Sequence, residues 1–184
     1  MPVRTTRRQA IMAAAVAPAL LTSSPALAAA GDDEKRARAQ AALVAALKVE
    51  QMAVVAYEAI ANSGKLSVRG TALMRSLLDH DRQHAEQLVA ALDSEGVTPP
   101  IPPRRATIAG LAGVRDDRRA AGFAIVLEER AVGAYVEAVR NLADPNLLRT
   151  IAGAMGTDGQ HLVVLRELAR RPPVPAAFER GIAP

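Results

Sequence analysis

Asp81-Arg82-Gln83-His84 and Asp158-Gly159-Gln160-His161 each set a carboxylate three residues before an imidazole. On a helix that spacing is one turn along one face, so both groups can reach the same metal ions. Two more acids stand in a second repeat. Glu50-Gln51-x-Ala53-Val54-x-Ala56-Tyr57 returns as Glu128-Glu129-x-Ala131-Val132-x-Ala134-Tyr135 at an offset of 78, and the Asp-x-Gln-His pair returns at 77. A pseudo-two-fold bundle would put one Glu and one Asp-x-x-His on each side of a metal pair. The chain has no cysteine, which excludes disulfides, thiolate ligands and a thiol nucleophile. No phosphate loop and no Ser-His-Asp motif occurs, so the residues name no catalytic group.

The acids and histidines interrupt stripes that are otherwise apolar. Taken at alternating steps of three and four, helix one gives Leu43, Leu47, Glu50, Val54, Tyr57 and Ala61. Helix two gives Leu73, Leu77, Asp81, His84, Leu88 and Ala91. Helix three gives Ile125, Glu128, Val132, Tyr135, Val139 and Leu142. Helix four gives Leu147, Ile151, Ala154, Asp158, His161, Leu165 and Leu168. Four unpaired carboxylates in one interior would cost many kcal/mol and would raise one another's pKa values. Two divalent cations balance their charge, and two neutral imidazoles complete a ligand set of Glu50, Asp81, His84, Glu128, Asp158 and His161. Mixed oxygen and imidazole ligation suits iron or manganese.

Other residues are read against plainer roles. Tyr57 and Tyr135 each follow a glutamate by seven residues, close to the same face, and are expected as core aromatics that can hydrogen-bond a carboxylate. His80 is expected as a partly exposed neighbour of His84 rather than as a ligand. Glu58, Glu86, Glu129 and Glu137 are expected on solvated faces. Gly153, Gly156 and Gly159 are expected to make room for the tyrosine rings or for close helix approach, since each costs about 1 kcal/mol against alanine within a helix. An access channel for a small molecule is the sharper reading of the same glycines.

The elements that must position these groups are four helices. Half of the residues are hydrophobic but only 2% are aromatic, and the apolar content is mostly alanine and leucine, both helix formers. Helix one is expected from Asp32 to Ala61, stopping at Asn62-Ser63-Gly64, and helix two from Ser67 to Ser94. Thr98-Pro99-Pro100-Ile101-Pro102-Pro103 cannot be helical. Helix three is expected from about Asp116 to Leu142. Helix four begins at the Asp144 cap with Pro145 in its first turn and runs to about Arg170. Short links make one-two and three-four antiparallel pairs. About twenty residues join two to three, enough at ~3.3 Å each to cross the bundle and leave those helices parallel. The expectation is an all-α four-helix bundle over 29–171, up-down pairs with one long crossover, followed by an irregular tail over 172–184.

On these motifs the chain resembles the ferritin-like superfamily, whose pattern is Glu, Glu-x-x-His, Glu, Glu-x-x-His on successive helices. The resemblance spans roughly 33–170 and is strongest to exported bacterial ferritin-like domain proteins. It implies Glu50 and Glu128 as the single glutamate ligands and His84 and His161 as the paired histidines. Asp81 and Asp158 stand where the family carries glutamates that usually bridge the metals, and each is one methylene shorter. The resemblance also implies oxidation of the divalent metal by dioxygen or peroxide. The reading from another class is a non-catalytic envelope or stress-related bundle whose site is structural or vestigial, and the two aspartates favour it.

Residues 1–28 read as an address. Thr6-Arg7-Arg8-Gln9 precedes an apolar run from Ala10 to Leu21, and Ala26-Leu27-Ala28 offers a cleavage site. The run is too short to span a bilayer, so no membrane span is expected after cleavage near Ala28/Ala29. The paired arginines resemble a twin-arginine signal, used by proteins exported already folded, which suits metal uptake before export. The pI of about 10.1 at first suggests nucleic acid. Without the three arginines of this segment, 20 of the 23 basic residues face 19 acidic ones, and with so few aromatics nucleic-acid binding is rejected. The expected partners are metal ions; an oligomer is compatible with the pattern but not implied by it.

Overall fold

The computed structural model describes residues 25–182, with side chains from Gly31 onward. The expected signal segment therefore lies outside the described residues except for its last four, which are helical backbone. Four helices follow: α1 Pro25–Ala61, α2 Val68–Ser94, α3 Asp117–Asn141 and α4 Pro145–Leu168. The first helix starts earlier than the expected Asp32. Pro25 suits a first helical position, and alanine and leucine carry the helix onward.

The helix starts after α1 are set by side chains that accept otherwise unpaired backbone N–H groups. Ser67 Oγ accepts from Gly70 N at 3.0 Å, Asp116 Oδ1 from Arg119 N at 2.8 Å, and Asp144 Oδ1 from Asn146 N at 2.8 Å. Gly64 and Gly96, with φ of 67° and 71°, occupy the left-handed region just past α1 and α2, where a side chain would be strained.

Direction follows from cross-helix pairs. Arg36 near the start of α1 meets Glu95 just past the end of α2, at 2.9 Å. Tyr57 of α1 meets Glu128 of α3, whereas Glu50 of α1 meets Tyr135. So α1 runs antiparallel to both α2 and α3, and α2 and α3 are parallel, as a full-length crossover requires. The crossover does more than span. Gln51 Nε2 donates to Pro100 O at 2.7 Å. Two 3₁₀ turns, at Arg105–Thr107 and Leu111–Gly113, bring Ile108, Leu111 and Val114 onto the core.

α1 packs on α2 and α3, and α3 packs on α4, while α2 and α4 scarcely touch. The apolar interior falls into two clusters. One holds Tyr57, Met74, Leu77, Ile125, Leu162 and Leu165. The other holds Leu43, Leu47, Leu88, Leu92, Tyr135 and Ile151. α1 from Gly31 to Ala61 is long and apolar enough to cross a membrane, but half of its most apolar window is buried here and the helix carries Glu50 inward.

Several stripe positions differ from expectation. Val139 is 38% exposed, and Leu73, Val54, Leu142, Leu147 and Leu168 are only half-buried; the last three stand at the ends of α3 and α4. From Pro172 to Ile182 the described tail has no helix or strand, but it is tied down. Ile182 N donates to Glu129 O at 2.8 Å. Arg166, nearly buried, reaches Glu179 at 2.8 Å and Glu129 at 3.0 Å. The tail passes so close to α3 that a Cβ on Gly133 would collide with the Ile182 carbonyl oxygen.

Candidate metal centre

The six expected ligands converge on one layer in the bundle interior. Glu50, Asp81, Glu128 and Asp158 are at most 2% exposed and His161 is 4% exposed; His84 is half-buried. Two sets of donor atoms each lie within 4.8 Å of one another: Asp81, Glu128, Asp158 and His161, and Glu50, Asp81 and His84. Asp81 belongs to both. Asp158 Oδ1 lies 3.4 Å from His84 Nδ1 and 3.8 Å from His161 Nδ1. The two aspartates thus stand between the two Glu-His pairs, where the longer glutamates of the resemblance would bridge.

The tyrosines tie the halves together crosswise. Tyr57 Oη donates to Glu128 Oε1 at 2.6 Å, and Tyr135 Oη donates to Glu50 Oε1 at 2.5 Å. Both rings are fully buried. Burial, then the charge on Glu128 for Tyr57 and on Glu50 for Tyr135, pushes each phenol well above its ordinary pKa, so both stay protonated donors.

The carboxylates lack cationic partners. Among the described residues no lysine or arginine pairs with any of the four. Besides the two tyrosines, histidines approach them, with His161 Nδ1 3.1 Å from Glu128 Oε2 and His84 Nδ1 3.5 Å from Glu50 Oε1. Burial first, and then the neighbouring acids, raises Asp81 and Asp158 well above the usual carboxylate range. Burial also raises Glu50, against the pull of His84 and Tyr135. Asp81 Oδ1, both oxygens of Asp158 and Nδ1 of His84 are buried without a hydrogen-bond partner. Buried polar atoms are nearly always paired. Orphaned oxygens and an orphaned imidazole nitrogen, converging with negative charge and no lysine or arginine, form a donor set that fits divalent cations.

His80 is partly exposed, as expected, and adds a contact across the bundle. It is half-buried, and its Nδ1 lies 2.8 Å from His161 Nε2, on the side of the ring away from the carboxylates. Partial burial and the His161 and His84 rings hold it below its ordinary pKa. Its place four residues before His84 was visible in the sequence; that it reaches across to α4 was not. Glu58 pairs with Arg82 and Glu129 with Arg166, so neither enters the cluster. The glycine expectation is overturned. A Cβ on Gly153, Gly156 or Gly159 would meet no atom within 4 Å, so these glycines make room neither for the tyrosines nor for a neighbouring helix.

Residues 38–171 match the family described as "Ferritin-like domain". The chain belongs to that family. A solved structure, that of the conserved hypothetical protein rv2844 from Mycobacterium tuberculosis, superposes with a TM-score of 0.65 at 20% identity, covering 78% of this chain and 99% of that one. At that identity the likeness concerns the fold. No curated protein sequence matches the chain. The ferritin-like fold and the buried acid and histidine cluster together support metal binding.

Proposed function

We propose that this ferritin-like protein holds two divalent metal ions, iron or manganese, on Glu50, Asp81, His84, Glu128, Asp158 and His161. The observation that carries the reading is the set of buried carboxylate oxygens with no hydrogen-bond donor and no lysine or arginine partner. Glu128 with His161 would serve one ion and Glu50 with His84 the other, with Asp81 and Asp158 between them. Bound iron or manganese would supply one-electron chemistry toward dioxygen or peroxide. Around it, Tyr57 and Tyr135 orient the two glutamates, and the two apolar clusters keep bulk water from the layer. Export by a twin-arginine-type signal over 1–28 is part of the proposal and rests on the sequence.

The test is metal content. The mature form from Ala29 onward, folded in iron- and manganese-replete cells, is assayed by elemental mass spectrometry beside a His84→Ala/His161→Ala double variant. Close to two metals per chain, lost in the variant, is the expected result. No metal in either protein, with both folded, would leave the non-catalytic bundle with a structural or vestigial site.

A further inference from the structure

His80 breaks the internal symmetry of the site. The offset of 77 that relates the two Asp-x-Gln-His motifs carries His80 onto Thr157. Thr157 turns back on its own helix, its hydroxyl donating to Gly153 O at 3.2 Å. Nothing on α4 therefore does for His84 what His80 does for His161: His84 Nδ1 faces Glu50 and Asp158, and among the described residues no side chain hydrogen-bonds its Nε2. The His161 ring is held at both nitrogens, by His80 at Nε2 and by Glu128 at Nδ1, and the two imidazoles lie parallel within 7°. Neutral imidazole offers one donor and one acceptor nitrogen. His80 Nδ1 can thus accept a hydrogen bond from Nε2–H or donate one to a bare Nε2, and it holds the ring in the same place in either tautomer. When Nε2 carries the hydrogen, the Nδ1 lone pair faces the carboxylates.

We propose that His80 is a positioning residue for His161, which makes the two metal positions unequal: at the Glu128/His161 position both ligands are held, by Tyr57 and His80, and at the Glu50/His84 position only Glu50 is, by Tyr135. The inference rests on the di-metal reading and adds an order of filling to it. A hydrogen bond to the far nitrogen of a ligating histidine fixes its orientation and tautomer, and losing one costs about 10–100-fold in metal affinity. The contact spans α2 and α4, which scarcely touch each other directly.

The experiment is calorimetric titration of the metal-free mature chain with cobalt(II), a spectroscopically visible divalent probe. The parent should take up two ions in steps of unequal affinity. His80→Ala should weaken one step at least tenfold and leave the other in place. His80→Asn, which sets an amide atom where Nδ1 stood, should recover most of the loss. In a His84→Ala background the effect of His80→Ala should persist, and in a His161→Ala background it should vanish. Two-step uptake unchanged by His80→Ala, equal weakening of both steps, or no recovery with His80→Asn would each overturn the positioning role while leaving the metal site standing. No cobalt uptake by the parent would overturn both.

Discussion

Replacing Asp158 with asparagine keeps the outline of the side chain and removes its charge. Asp158 is fully buried, neither oxygen has a donor, and burial, Glu50 and Glu128 raise its pKa well above 3.8. A carboxyl whose folded-state pKa lies above its unfolded one contributes stability that is whole below the unfolded value and is lost as pH rises to the folded one. The metal-free parent should therefore lose stability with rising pH from about 3.8 upward, with Asp81 and Glu50 adding the same sign. Asparagine does not titrate, so Asp158→Asn should flatten part of that slope. Each unit of upward shift corresponds to about 1.4 kcal/mol. The amide is still a buried polar group lacking partners, which costs ~1–3 kcal/mol and offsets part of the gain. A net gain in melting temperature is expected at pH 8, larger than at pH 5.

With metal the order should reverse. A ligand bound by the folded state alone stabilises it by about 2.7 kcal/mol at a hundred times its Kd, and Asp158→Asn removes one ligand of the proposed pair. Melting curves of both proteins, with chelator and with manganese(II), at pH 5 and pH 8, test this. Without metal the variant should melt higher, by more at pH 8 than at pH 5; with metal the parent should. A variant that melts below the parent in chelator at pH 8 would refute the claim that the layer is electrostatically strained.

Tyr57→Phe and Tyr135→Phe keep the packing but strip the phenolic donor from Glu128 and Glu50. Each should cost the metal-free protein ~1.5–3 kcal/mol in urea unfolding, the usual value of a hydrogen bond to a charged group. Gly153→Ala, Gly156→Ala and Gly159→Ala should each raise stability by about 1 kcal/mol, because the added methyl meets nothing, with metal content unchanged. Arg166→Met should free the tail from Glu129 and Glu179, seen as faster proteolysis beyond Arg171 with the bundle intact; an unchanged cleavage rate would mean that the Ile182–Glu129 contact holds the tail by itself.

What the sequence made legible depended on local physics. Ser67, Asp116 and Asp144 announce helix starts because a cap acts within three residues of itself, and α2, α3 and α4 begin beside them. The six acids and histidines stand out because a stripe of leucine and valine makes a carboxylate conspicuous. What lies across from a residue is a tertiary fact. His80 shares the His84 side of α2, yet no periodicity tells that it meets His161 rather than solvent. The glycines of α4 have a helical spacing but no direction, and their side of the helix proves to be open. Prolines after Arg171 rule out a helix but not the return of Ile182 to α3.

The layer makes most sense as a place where the fold and the site make opposite demands. The two apolar clusters supply burial on either side, and between them the chain sets four carboxylates that desolvation and mutual repulsion both disfavour. Tyr57, Tyr135 and His161 relieve Glu50 and Glu128, which each gain a donor or a facing ring. Asp158 gains none at either oxygen, and Asp81 has one oxygen without a partner. If the acids served stability alone, the unrelieved positions would be the first expected to become apolar, since an apolar side chain there removes the cost outright. Strain concentrated at the two aspartates, which lie between the Glu-His pairs, is the distribution expected where their oxygens await cations. It also predicts which substitutions separate folding from binding: those at Asp81 and Asp158 should help the empty bundle and harm the loaded one, whereas those at Tyr57 and Tyr135 should harm both.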